Sequence, residues 1–78
     1  VGSGNDFFER VEAEAKWAES QHGPVHSYHE LYAFLNEELE ELWVEIKKKP
    51  CYDREAIMRE AVQIAALCWR CTWEDLRG

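Results

Sequence analysis

Seventy-eight residues, 46% of them hydrophobic and four of them Trp, fill at most one domain and are too apolar to stay disordered despite 32% charged side chains. A formal net charge of −7 excludes the nucleic-acid backbone as a general partner, because such binding rests on clustered Lys and Arg. No apolar run approaches the roughly 20 residues that span a bilayer, and the start has neither a basic nor an apolar segment of a leader, so a cytoplasmic protein with no membrane contact is expected.

Residues 1–78 form one domain in this reading, with "VGSG" as a cloning remnant and residues 1–5 expected to be disordered. The spacing predicts a first helix from Asn5 or Asp6 as N-cap, carrying Phe8, Val11, Ala15 and Ala18 inward. "HGP" at 22–24 ends it, since Gly23 suits a C-terminal cap and Pro24 cannot continue the helix. The three histidines of that connection, His22, His26 and His29, straddle a turn and read as a polar linker.

A second helix opens at Ser27, with Glu30 reaching back in a capping box, and runs to about Lys49 before Pro50. Lys47, Lys48 and Lys49 then form a solvated basic end favoured by the helix dipole, with a phosphate contact as the sharper alternative. A third helix is capped by Asp53 and continues to about Leu76. Its Cys68 and Cys71 are read as small buried thiols on the apolar stripe. With Cys51 they make an odd number, which fits a reducing compartment. The fold class is all-α, with no alternating strand pattern anywhere.

The acids carry the chemistry. At about 100° per residue, Glu38 falls inside the arc of Leu31, Leu35, Leu39, Leu42 and Ile46, with Glu41 and Glu45 along its edge and Glu37 and Glu40 outward. Glu60 is equally central among Ile57, Ala61, Ile64, Leu67, Cys68 and Cys71, and Gln63 takes the angular place that Glu41 takes on its own helix. Ionised carboxylates are not buried without compensation. The compensation is either pairing with Arg59 and Arg70, at the border of the seam, or a hard divalent cation, Mg²⁺ or Mn²⁺, held by oxygen ligands. In the second case the two arginines are free to hold a metal-bound phosphate.

"EELEE" at 37–41 and "EAVQ" at 60–63 resemble the E-E-x-x-E and E-x-x-D motifs of the MazG-like all-α nucleoside triphosphate pyrophosphohydrolases, and the eighteen residues between Glu41 and Glu60 suit that family. The order of turn, capped helix and acidic motif in "HGPVHSYHELYAFLNEELEELWVEI" looks like its small phage or mobile-element members, and the resemblance runs from about Glu9 to Arg70. It implies a dimeric or tetrameric helical bundle that cleaves a nucleoside triphosphate (NTP or dNTP) to monophosphate and pyrophosphate, a house-cleaning hydrolase. Carried over, Glu38, Glu41 and Glu60 are Mg²⁺ ligands with Gln63 in the place of the Asp. Glu41 or Glu45 takes the proton of the attacking water, and Arg59, Arg70 and Lys47 face the substrate.

Gln63 departs from the motif, because an amide brings no charge and is a poor base. The alternative is therefore a catalytically impaired oligomer that binds nucleotide or a protein partner through a degenerate site. Broad apolar arcs on helices two and three, with aromatic rims, predict a dimer whose four-helix core comes from those two helices of each chain.

Overall fold

The computed structural model describes residues 4–48 and 51–75, and the side chains of residues 6–48 and 51–72. Three helices follow in order: α1 (Gly4–His22), α2 (Tyr28–Ile46) and α3 (Arg54–Trp69), the last prolonged by a π-helical segment, Arg70–Asp75. No strand occurs among the described residues. None of the helices is long and apolar enough to cross a membrane. Residues 1–3, in the stretch expected to be disordered, and the stop at Pro50 lie outside the described residues.

α1 begins at Gly4, one residue before the earlier of the two expected caps, so Asn5 and Asp6 belong to its first turn. It ends as expected. Gly23 takes φ +74°, a left-handed conformation that a side chain would strain, and its N–H donates to the Glu19 carbonyl at 2.9 Å. Ser27 caps α2, its hydroxyl accepting from the Glu30 N–H at 3.0 Å. The reciprocal bond differs from a capping box by one residue, for Glu30 Oε1 accepts from the N–H of His26 at 2.8 Å.

α2 stops three residues earlier than the expected Lys49. The N–H of Lys47 still reaches the Trp43 carbonyl at 2.9 Å, but that of Lys48 turns back to the Glu45 carbonyl, tightening the last turn. Asp53 caps α3 by accepting from the Ala56 N–H at 3.1 Å. Regular α-helical bonding ends at Trp69, and Leu76, the expected end of the helix, lies outside the described residues. The Arg70 N–H is shared by the Ala66 and Leu67 carbonyls. Two residues on, the Thr72 hydroxyl donates to the Cys68 carbonyl at 2.6 Å, competing with the ladder and favouring a wider turn.

α3 is the central element, packed against α1 and against α2. Val11 and Ala15 of α1 meet Val62 and Ala66 of α3, with Phe7, Ala65 and Trp69 against them. Two expectations change here. Phe7, not Phe8, takes the core position on α1, because Phe7, Val11, Ala15 and Ala18 share one face; Phe8 is exposed. On α3 the most buried flank is that of Val62 and Ala66, so Ile57, Ile64 and Leu67 are only half-buried and Cys68 is exposed. Cys71 alone of the pair is buried.

α2 has no buried residue at all. Leu39, Trp43 and Val44 are about half exposed, and Phe34 is 38% exposed. The molecule is elongated, 44 × 27 × 19 Å, and exposes 5804 Å² where a compact 9.2 kDa monomer is expected to expose about 4,900 Å².

Candidate metal centre

The α2–α3 contact sets Glu38, Glu41 and Glu60 side by side. Each offers one carboxylate oxygen, and the three oxygens lie within 4.8 Å of one another. This is the grouping of His, Cys, Asp or Glu found among the described residues that has the closeness a metal requires. Glu38 and Glu60 are half-buried and Glu41 is exposed. Glu38 Oε2 and Glu60 Oε1 are buried atoms with no hydrogen-bond partner, a costly arrangement for groups that carry negative charge.

The proton affinity of these groups records the same crowding. Burial pushes the Glu38 carboxyl up from 4.5 to about 7, aided by the close approach of the Glu60 carboxyl and by the charges of Glu41, Glu60 and Glu14. Glu41 is raised too, by loss of hydration first and then by the charge of Glu60. The fourth contributor, Glu14, comes from α1 and was not singled out in the sequence. A signal for it exists, since Val11, Glu14, Ala15 and Ala18 stand at i, i+3, i+4 and i+7, the inward face of α1.

Neither arginine relieves the cluster. Arg70 is buried, but its guanidinium donates to Glu19 Oε1 at 3.3 Å and to the Gly23 carbonyl, fastening the end of α1 to α3. Those two bonds, and not the acids, engage the guanidinium, although Arg70 also lines the cavity beside Glu38. Arg59 is exposed, makes no ion pair with the three acids, and borders a smaller cavity with Arg10 and Trp17. Lys47 is exposed at the end of α2, its ammonium 5.7 Å from the Trp43 ring centroid. Glu45 is also drawn off: both of its oxygens lie 3.1 Å from the Lys48 ammonium. Its Oε1 is likewise a buried atom without a hydrogen-bond partner, but Glu45 is not one of the three gathered acids.

Gln63 does not bring a charge to the group, yet it shares a cavity with Glu38. That cavity, about 440 Å³, lies between α1, the 23–27 connection, α2 and α3, with Trp17, Phe34 and Leu67 among its walls. Glu37, expected to point away, is on its rim. Glu38 thus belongs both to the acidic cluster and to a pocket of ligand size. The exposed His26 stands 3.6 Å from Glu30, and His22 lies edge-on to Trp17 at 6.1 Å. The histidines therefore do not form a metal group with one another.

The donor set fits a hard divalent cation. All three donors are carboxylate oxygens, and two oxygens on one Mg²⁺ lie at most about 4.2 Å apart. A fraction of an ångström of side-chain movement closes the set. Comparison with protein-family models, with curated proteins and with solved structures returned no match.

Proposed function

We propose that the chain is a Mg²⁺-dependent nucleoside triphosphate pyrophosphohydrolase, as its resemblance to the MazG-like family implies, with Mn²⁺ as a substitute ion. The observation that carries the reading is the convergence of Glu38, Glu41 and Glu60, the first and last with an unpartnered buried oxygen, and no cation of the protein beside them. When bound, the divalent ion supplies charge neutralisation for the polyphosphate and a more acidic water.

In this reading Glu38 and Glu60, the half-buried pair, hold the ion from two helices, and Glu41 completes the set from the solvent side. Water adds to phosphorus at the α–β anhydride, the bridging P–O bond breaks, and monophosphate and pyrophosphate leave. Glu41, the one acid of the three open to solvent, accepts the proton of that water. Glu45 is left a lesser part, because the Lys48 ammonium occupies it. Gln63 presents an amide where a fourth acid would stand, which favours slow turnover and keeps a nucleotide-binding oligomer as the second reading.

The uncovered side of α2 supports a homo-oligomer, a dimer or a tetramer. Phe34, Leu39, Trp43 and Val44 are an apolar surface that a second copy would remove from water. Incubation with a panel of ribo- and deoxyribonucleoside triphosphates, with and without Mg²⁺, tests the function. Pyrophosphate released only with Mg²⁺, and lost in Glu60→Gln, supports it; monophosphate formation in neither condition removes it.

A further inference from the structure

The cavity beside the acids has a chemistry of its own. Two aromatic side chains on its wall remain open to solvent: Trp17 is 56% exposed and Phe34 is 38% exposed, and both border a partly open space of about 440 Å³. Flat apolar faces of this kind take a planar ring. Besides Glu38, which belongs to the acidic cluster, three carboxylates line the same space, those of Glu14, Glu30 and Glu37. The one guanidinium there, Arg70, is spent on Glu19 and the Gly23 carbonyl. Phosphate placed in the cavity would therefore meet like charge with no free guanidinium or ammonium to offset it.

We infer that this cavity receives the base of a nucleotide, and that it favours rings carrying an exocyclic amino group over rings whose edge presents two carbonyls about a single imide N–H. The word nucleotide rests on the pyrophosphohydrolase reading; the preference among rings rests on the cavity alone. Ionised carboxylates accept hydrogen bonds and cannot donate them. Cytosine and adenine bring an amino donor to such a wall. Uracil and thymine bring a single imide N–H flanked by two carbonyl oxygens, so a carboxylate that accepts from it meets an acceptor on either side, a poorer fit than a free amino group. Phosphates then lie outside the cavity, toward Glu41 and Glu60, and Glu38 marks the boundary between the two parts.

The test uses the full chain with ¹⁵N-labelled tryptophan, titrated with cytidine, adenosine, uridine, thymidine and inorganic pyrophosphate, all without divalent ion. The Trp17 indole N–H signal, assigned with Trp17→Phe, is expected to move with cytidine and adenosine at concentrations at least about tenfold below those needed for uridine and thymidine. Pyrophosphate is expected to leave it in place. In a Glu14→Gln, Glu37→Gln double variant, whose new amides donate as well as accept, the preference is expected to narrow by about tenfold.

Equal response to uridine, a shift caused by pyrophosphate, no response to any nucleoside, or an unchanged preference in the double variant would each overturn the inference. The parent reading fails separately. Pyrophosphate release from nucleotides alongside a flat nucleoside titration sinks the cavity assignment and spares the hydrolase; selective nucleoside binding without turnover does the reverse.

Discussion

Glu38 on α2 and Glu60 on α3 each keep one buried carboxylate oxygen without a hydrogen-bond partner, and with Glu41 they place three acidic oxygens within 4.8 Å. An arrangement of this kind works against folding when nothing positive enters it. Neutralising one member is therefore predicted to help the metal-free chain. Glu60→Gln should raise its melting temperature by several degrees, which for a domain of this size corresponds to about 1 kcal/mol. Calorimetry in the presence of a chelator measures it, and a lower melting temperature contradicts repulsion within the cluster.

Protons should substitute for the missing cation. The folded chain holds a proton on Glu38 up to about pH 7, whereas its ordinary value, that of the unfolded chain, is 4.5. Folded protein therefore binds more protons than unfolded protein between those values, so the stability tied to Glu38 is full below pH 4.5 and is lost as pH rises through about 7. Glu41 is raised and acts in the same direction. Metal-free melting temperatures are predicted to fall from pH 5 to pH 8, and saturating Mg²⁺ to flatten that slope. A metal-free stability that climbs over this range would refute the assignment.

Much of this was legible in the chain itself. Gly23, Ser27 and Asp53 punctuate it with unambiguous local chemistry, and the inward angles of Glu38 and Glu60 follow from counting 100° per residue. What counting misses is which flank of a two-sided helix meets which neighbour. α3 is touched by both α1 and α2, so its apolar arc was read toward Cys68 while Val62 and Ala66 take the deepest burial. Long charged side chains are harder still, since Arg70 and Glu45 were free to choose partners, Gly23 with Glu19 and Lys48, that lie off the expected seam. The π-helical segment has no periodic signature in the sequence; it is foreshadowed only by the Arg70 N–H shared between the Ala66 and Leu67 carbonyls and by the Thr72 hydroxyl donating to that of Cys68.

Arg70 should matter for folding more than for chemistry. It joins α3 to the end of α1 through a charged hydrogen bond to Glu19 and a second bond to the Gly23 carbonyl, from a buried position. Bonds to charged groups contribute roughly 1.5–3 kcal/mol each. Arg70→Met is predicted to lower denaturant stability by about 2–4 kcal/mol, taking into account the half-exposed Glu19. The Mg²⁺ concentration needed for half-maximal response should stay within about twofold in the fraction that is folded. A tenfold weakening of that response would show that the guanidinium serves the ligand.

Gln63→Asp restores the acid that the motif calls for, beside Glu38 in the shared cavity. The expected outcome is a split: a metal-free melting temperature lower by several degrees, from added repulsion, and pyrophosphate release faster by about tenfold or more at saturating Mg²⁺. Side-by-side melting and product assays check it. Faster turnover with no loss of metal-free stability would place residue 63 away from the acids.

The open side of α2 predicts association. Molar mass measured by light scattering should be a multiple of 9.2 kDa, and Trp43→Glu or Leu39→Glu should shift it toward the monomer by burying a charge in the contact. A monomeric wild type at high concentration would leave that apolar surface to another partner.

Direct titration of the metal-free chain with Mn²⁺, followed by its electron paramagnetic resonance signal, tests the main claim with the fewest assumptions. One bound ion per chain is predicted, displaced by excess Mg²⁺ and lost when Glu38, Glu41 and Glu60 are all changed to Gln. A wild-type chain that leaves the ion as free as the triple variant does would contradict it.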